Sequence, residues 1–140
     1  MTSLKVGIID DYKFNRQVLK QALKNYVGFS FEVVLEKESL SGLFDYDLSE
    51  VGPELIFLDL DMPGISGVEG VTLLKKKYPD CKIIMFTDTD NIPALVQCFS
   101  NGARGCLRKK INKDALLDAI LVVKNDGVHI DPLVWQKYFE

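Results

Sequence analysis

A single histidine, His129, is present in 140 residues. That excludes a histidine-rich metal centre and leaves no choice of partner for Ser-His or Cys-His nucleophilic chemistry, so His129 reads as an ordinary residue of the C-terminal stretch. Cysteine is scarce as well. Cys81, Cys98 and Cys106 stand 17 and 8 residues apart, which matches neither a zinc-ligand spacing nor a C-x-x-C redox pair, and they read as reduced, buried thiols. No run approaches the roughly 18 uncharged apolar residues that a membrane span needs, and residues 1–5 lead straight into a strand-like run, so the cytoplasm is the expected compartment. Basic residues are in slight deficit, 17 against 20 acidic ones for a net charge of −3, and no basic stripe is visible. No nucleic-acid contact is expected from this piece alone, and Lys75, Lys76 and Lys77 read as a solvated helix face. Internal repeats and low-complexity tracts are absent.

What remains is an ordinary globular composition, 47% hydrophobic and 26% charged. A chain of this length buries roughly 68% of its unfolded surface, enough for one core without disulfides or structural metal. Short apolar runs at 4–9, 31–35, 55–58, 81–86 and 105–107 alternate with segments of helical period and predict five βα units. The runs at 55–58 and 83–86 lack polar alternation, as expected of parallel strands covered by helices on both faces. Phe14, Val18 and Ala22 recur at four-residue steps, and Val68, Val71 and Leu74 mark a second stripe, each predicting an amphipathic helix. Asn91, Pro93 and Gly102 bracket a helix that carries residues 94–100. Asn112 caps the last one, with Ala115, Leu116, Ala119, Ile120 and Val123 inward. A further helix is expected over 39–46. The domain is expected to span 1–126, with Asn125-Asp126-Gly127 breaking the last helix and 127–140 left as a C-terminal tail or linker.

In open parallel sheets ligands bind beyond the carboxyl ends of the strands. Those ends are acidic here: Asp10 and Asp11 follow the first strand, and Asp59 follows the third with Asp61 two residues on. Thr87 follows the fourth strand and Lys109 the fifth. Crowded carboxylates repel one another, and a hard divalent cation offsets that repulsion; magnesium takes one or two carboxylates and leaves positions for a phosphate oxygen. A carboxylate beside such an ion can attack phosphorus, while Thr87 and Lys109 supply a hydroxyl and an ammonium for the other phosphoryl oxygens. Any one of these acids alone reads as a helix cap or turn residue. Together they favour a functional cluster.

The stretch Leu55-Ile-Phe-Leu-Asp59-Leu-Asp-Met-Pro63-Gly-Ile-Ser-Gly67 resembles the phosphoacceptor segment of response-regulator receiver domains of two-component signal transduction. Asp10-Asp11, Ile83-Ile-Met-Phe-Thr87 and Gly102-Ala-Arg-Gly-Cys-Leu-Arg-Lys109 fall in the family's order, so the resemblance covers about 4–126. It implies a flavodoxin-like α/β receiver fold, a doubly wound five-stranded parallel sheet in strand order 2-1-3-4-5 with helices on both faces. It further implies Asp59 as phosphoacceptor, Asp11 as direct Mg ligand, Asp10 acting through water, and Asp61 lending its backbone carbonyl. Thr87 becomes the conformational switch and Lys109 the partner of the phosphoryl oxygens, with a histidine kinase or phosphotransfer protein as donor. The stretch 127–132 resembles linkers that lead to a helix-turn-helix output domain.

Three residues depart from the family pattern. Asp88 replaces the usual small residue after the switch threonine and is expected to crowd the site or repel a phosphodonor. Cys106 occupies the switch position where many members carry an aromatic residue. Lys110 replaces a common proline after the lysine. Leu117 and Leu121 lie off the inner stripe of the last helix, where they can form a homodimer or output contact through the fourth and fifth helices. Two other readings stay open. Phe57-Leu-Asp59-Leu-Asp61 also resembles the D-x-D motif of haloacid-dehalogenase-type magnesium-dependent phosphatases, with Asp59 as nucleophile and Asp61 as acid, although that motif normally opens its chain. The departures at Asp88 and Cys106 are also compatible with a pseudo-receiver that is never phosphorylated and acts as a binding module.

Overall fold

Apolar runs without polar alternation need cover on both faces, and they lie at the centre of one parallel sheet. The protein is described from a computed structural model covering residues 2–24, 26, 29–42, 52–110 and 112–139. The strands are β1 (Thr2–Ile9), β2 (Phe29–Lys37), β3 (Leu55–Leu58), β4 (Lys82–Phe86), β5 (Gly105–Leu107) and β6 (His129–Ile130). They pair in parallel in the order β2-β1-β3-β4-β5-β6. The helices are α1 (Lys13–Leu23), α2 (Gly67–Lys77), α3 (Ile92–Ser100), α4 (Lys113–Lys124) and α5 (Pro132–Phe139).

Successive residues of a strand point to opposite faces, so β3 serves two cores. Ile56 and Leu58 join Val71 and Leu74 of α2 and Leu95 and Cys98 of α3. Leu55 and Phe57 join Leu19 and Leu23 of α1 and Leu116 and Ile120 of α4. Each of these fully buried side chains contributes roughly 1.5–3 kcal/mol through removal from water. The expected caps form: the Asn91 side chain accepts the Ala94 N–H at 3.1 Å and that of Asn112 the Ala115 N–H at 2.7 Å. Gly102 follows α3 at φ +121°.

Three expectations change. In α1 the predicted stripe divides: Phe14 is 73% and Val18 43% exposed, while Ala22 packs against the core beside Leu19 and Leu23. The helix has two apolar edges, and the one that meets the sheet carries Leu19, Ala22 and Leu23 rather than Phe14 and Val18. The helix expected over 39–46 falls mostly outside the described residues, and 39–42 form a bend and turn. The sheet has six strands rather than five, because the stretch read as a tail supplies β6 and α5. His129 donates its N–H to Arg104 and Asp131 donates to Cys106, both at 3.0 Å. Beyond the strand, Val134 packs into the core that holds Cys98 and Cys106. Asp131 is buried and accepts from Arg108 Nε at 3.0 Å.

The packing of Val134 and the pairing of β6 predict that 127–140 stabilises the rest of the chain. A protein ending at Asp126 is expected to lose at least about 2 kcal/mol in urea unfolding, the contribution of one buried valine with no other term added. Equal stability of the two forms would make the stretch a passive linker.

Candidate functional site

The topology decides which side chains meet. From β1 the chain crosses to β2 on one side and then to β3 on the other, so the carboxyl ends of β1 and β3 flank the point where the winding reverses. The Asp59 N–H donates to the Ile9 carbonyl at 3.0 Å, which sets the two ends side by side. Thr87, at the end of β4, donates its N–H to Leu107 of β5 at 3.0 Å. Asp10, Asp59 and Thr87 are all buried.

Four of the predicted groups form one cluster. Asp10, Asp11 and Asp59 each present a carboxylate oxygen, all within 4.8 Å of one another. Lys109 Nζ lies 3.1 Å from Asp59 Oδ2 and 2.9 Å from Asp10 Oδ2. The other oxygen of Asp10 accepts the Tyr12 N–H at 2.9 Å, so this residue also makes the turn that leads into α1. Three carboxylates against one ammonium leave two negative charges uncompensated. Asp11 Oδ1 is enclosed and accepts no hydrogen bond among the described residues. Hard oxygen donors in excess charge, one of them unpartnered, fit a cation of the magnesium type and not a soft metal.

Burial pushes the Asp59 carboxyl above its ordinary value, and Lys109, with a hydrogen bond from Thr87, opposes that shift while the neighbouring Asp10 adds to it. Burial pulls the Lys109 ammonium down, yet its contacts with Asp10 and Asp59 hold it above its usual range. It stays charged near neutrality.

The backbone around Asp59 is set by two glycines. Gly64 takes φ +80°, which turns the chain back toward α2. At Gly67, the first residue of α2, a Cβ would lie 2.6 Å from Leu60 Cα and 2.7 Å from the Asp59 carbonyl oxygen. Only glycine lets the helix start against the strand end. The Asp61 N–H points to Asp59 Oδ1 at 3.4 Å, a long contact, and its own side chain is exposed.

Cys106 is fully buried in the core, where burial and then the nearby Asp131 push its thiol up to about 12. Leu117 and Leu121 are half-buried on α4, outside the cluster. Two contributors are not evident from local sequence. Arg16 donates to the Asp10 carbonyl oxygen and pairs with Glu36 at 2.9 Å, tying α1 and β2 to the end of β1. Asp88 is exposed and is not a member of the carboxylate cluster, and its Oδ1 accepts the Lys109 backbone N–H at 2.9 Å. Residue spacing carries no signal for that contact, which joins two loops.

Residues 6–121 match the family model described as the response regulator receiver domain. The chain belongs to that family, whose members act in two-component systems. It is similar to the transcriptional regulatory protein DegU of Brevibacillus brevis, 31% identical across 94% of this chain and 54% of that protein. It is 33% identical to the chemotaxis protein CheY of Listeria monocytogenes, across 84% of this chain and 95% of that one. The chain thus spans about half the length of DegU and nearly all of CheY. Among solved structures, the isolated receiver domain of RcsB from Salmonella enterica serovar Typhimurium superimposes with a TM-score of 0.82 at 21% identity, covering 96% of this chain and 98% of that one. The phosphatase reading is not favoured by these matches.

A buried carboxylate with a raised pKa costs stability wherever it is ionised. Asp59→Asn is expected to stabilise the metal-free protein at neutral pH by about 1 kcal/mol, a typical gain from relieving such a site. The folded-state pKa is raised, so wild type is penalised only where Asp59 is ionised. The difference should therefore shrink as pH falls through that raised value. Urea unfolding at neutral and acid pH checks this, and a variant less stable at neutral pH contradicts it.

Proposed function

We propose that this chain is a phosphorylation-responsive receiver in which Asp59 takes a phosphoryl group from a histidine kinase or phosphotransfer protein. The observation that carries this reading is the convergence on Asp59 of one ammonium at 3.1 Å and two further carboxylates. An Asp59 carboxylate oxygen forms the new bond to phosphorus, and the bond from phosphorus to the donor's histidine nitrogen breaks with its electron pair leaving on that nitrogen. Asp11 and Asp59 would hold Mg, with Asp10 acting through water and Asp61 through its backbone carbonyl. Bound there, the ion would supply neutralisation of charge on the transferring group.

Lys109 is divided between Asp10 and Asp59 before transfer and supplies its ammonium to a phosphoryl oxygen afterwards, giving up Asp10. Thr87 offers its hydroxyl to another oxygen. In the resting arrangement that hydroxyl also accepts the Thr89 N–H at 3.3 Å, so a shift of Thr87 pulls on the loop that starts α3. This path carries the signal to the surface of α3 and α4, where Leu117 and Leu121 belong to a homodimer or output contact. With Cys106 at the switch position, no aromatic side chain takes part in it. The exposed Phe14 and Val18 lie on the helix that follows Asp11 and form an apolar patch suited to docking the donor. The cytoplasm is the compartment in which such donors and this chain meet. No described helix is long and apolar enough to cross a membrane.

Mass spectrometry after incubation with acetyl phosphate and magnesium tests the reading. Wild type is expected to gain one phosphoryl group, Asp59→Asn none, and Lys109→Ala to be modified about tenfold more slowly or worse, as for loss of one charge-stabilising group. Equal gain in Asp59→Asn would remove Asp59 from its role. Continuous release of phosphate without an adduct would restore the phosphatase reading.

A further inference from the structure

Lys109 has to hold its ammonium against two buried carboxylates from a stretch with no regular structure. It lies in a bend between β5 and α4, and the residue after it is Lys110, whose backbone is not constrained by a ring. Its backbone N–H is held at 2.9 Å by the Asp88 carboxylate, which sits 21 residues earlier in the chain.

The loop that presents Asp88 is itself braced. Thr87 is fixed to β5 through its N–H to the Leu107 carbonyl oxygen. The Thr89 N–H reaches Thr87 Oγ1 at 3.3 Å, and the Asn91 N–H reaches Thr89 Oγ1 at 3.1 Å, so residues 87–91 are folded by consecutive side-chain turns that run into the cap of α3. A carboxylate on such a loop transfers its order to whatever backbone it binds. Asp88 is also exposed, so its charge is screened by solvent, and one of its oxygens is committed to the Lys109 backbone N–H.

We propose that Asp88 is a positioning residue for Lys109, fixing the backbone from which the ammonium reaches Asp59. It links the loop of Thr87 to the loop of Lys109, so that the two phosphoryl-binding groups keep their spacing. The residue that looks like an obstacle to an anionic donor is on this view a gain for the site. The proposal rests on reading Lys109 as a phosphoryl-binding group.

Two readouts on wild type, Asp88→Ala and Asp88→Asn test it, with circular dichroism to establish that each variant is folded. Asparagine keeps a side-chain acceptor and removes the charge. In metal-free protein, amide hydrogen exchange at Lys109 is expected to be about tenfold faster in Asp88→Ala and within about twofold of wild type in Asp88→Asn, the scale of one hydrogen bond to a charged group. With magnesium, affinity for beryllofluoride is expected to fall about fivefold in Asp88→Ala and to recover in Asp88→Asn. Unchanged exchange at Lys109 in Asp88→Ala overturns the proposal. So does tighter binding in both variants, which would make Asp88 a repulsive charge, and so does an Asp88→Asn variant as impaired as Asp88→Ala. Should wild type take up no beryllofluoride, the receiver reading itself fails, and exchange at Lys109 still decides whether Asp88 holds that backbone.

Discussion

Three carboxylates, Asp10, Asp11 and Asp59, share one crevice with a single ammonium, and their mutual repulsion is the constraint around which the site is built. Charges at such separations in a partly buried setting interact by several kcal/mol at an effective dielectric near 20, which is a large share of the stability of a small domain. The fold tolerates this because the sheet fixes the strand ends: Asp59 is bound through its N–H to Ile9, and Thr87 to Leu107. Lys109 offsets part of the charge, and what it leaves uncompensated is the electrostatic basis for binding a cation. Lys109 is shared between two carboxylates, 2.9 Å from Asp10 and 3.1 Å from Asp59.

Rigid support for this arrangement comes from both faces of the sheet. Alternate residues of β3 bind it into two separate cores, one with α2 and α3 and one with α1 and α4. A displacement at the carboxyl end of β3 or β4 is thus opposed by close-packed side chains, while the 87–91 loop is held by hydrogen bonds, from the Thr87 N–H to Leu107 and from the Thr89 and Asn91 N–H groups to threonine hydroxyls.

The central strands, the acids at their ends and the caps at Asn91 and Asn112 were legible in the sequence because each leaves a local mark: an unbroken apolar run, a polar residue at its end, a capping side chain before a periodic segment. The buried face of α1 was legible only at Ala22, since Phe14 and Val18 compete with Leu19 and Leu23 as apolar positions, and only the crossing of helix on sheet selects between them. β6 was missed because two residues cannot display a period, and the pairing of His129 and Ile130 with β5 is a tertiary event. The position of Asp88 was legible as an anomaly, but its partner was not. A hydrogen bond from one loop to the backbone of another has no expression in spacing or composition. Arg16 escaped notice for the same reason, being one of many cations until Glu36 and the Asp10 carbonyl oxygen are placed beside it.

Whether the surplus negative charge at the strand ends takes up a divalent cation is read from backbone amide resonances during a magnesium titration. The expected result is a saturable shift confined to Asp10, Asp11, Asp59 and the residues around Lys109, abolished in Asp11→Asn. Shifts spread evenly over the acidic surface, or an identical titration in Asp11→Asn, would contradict it.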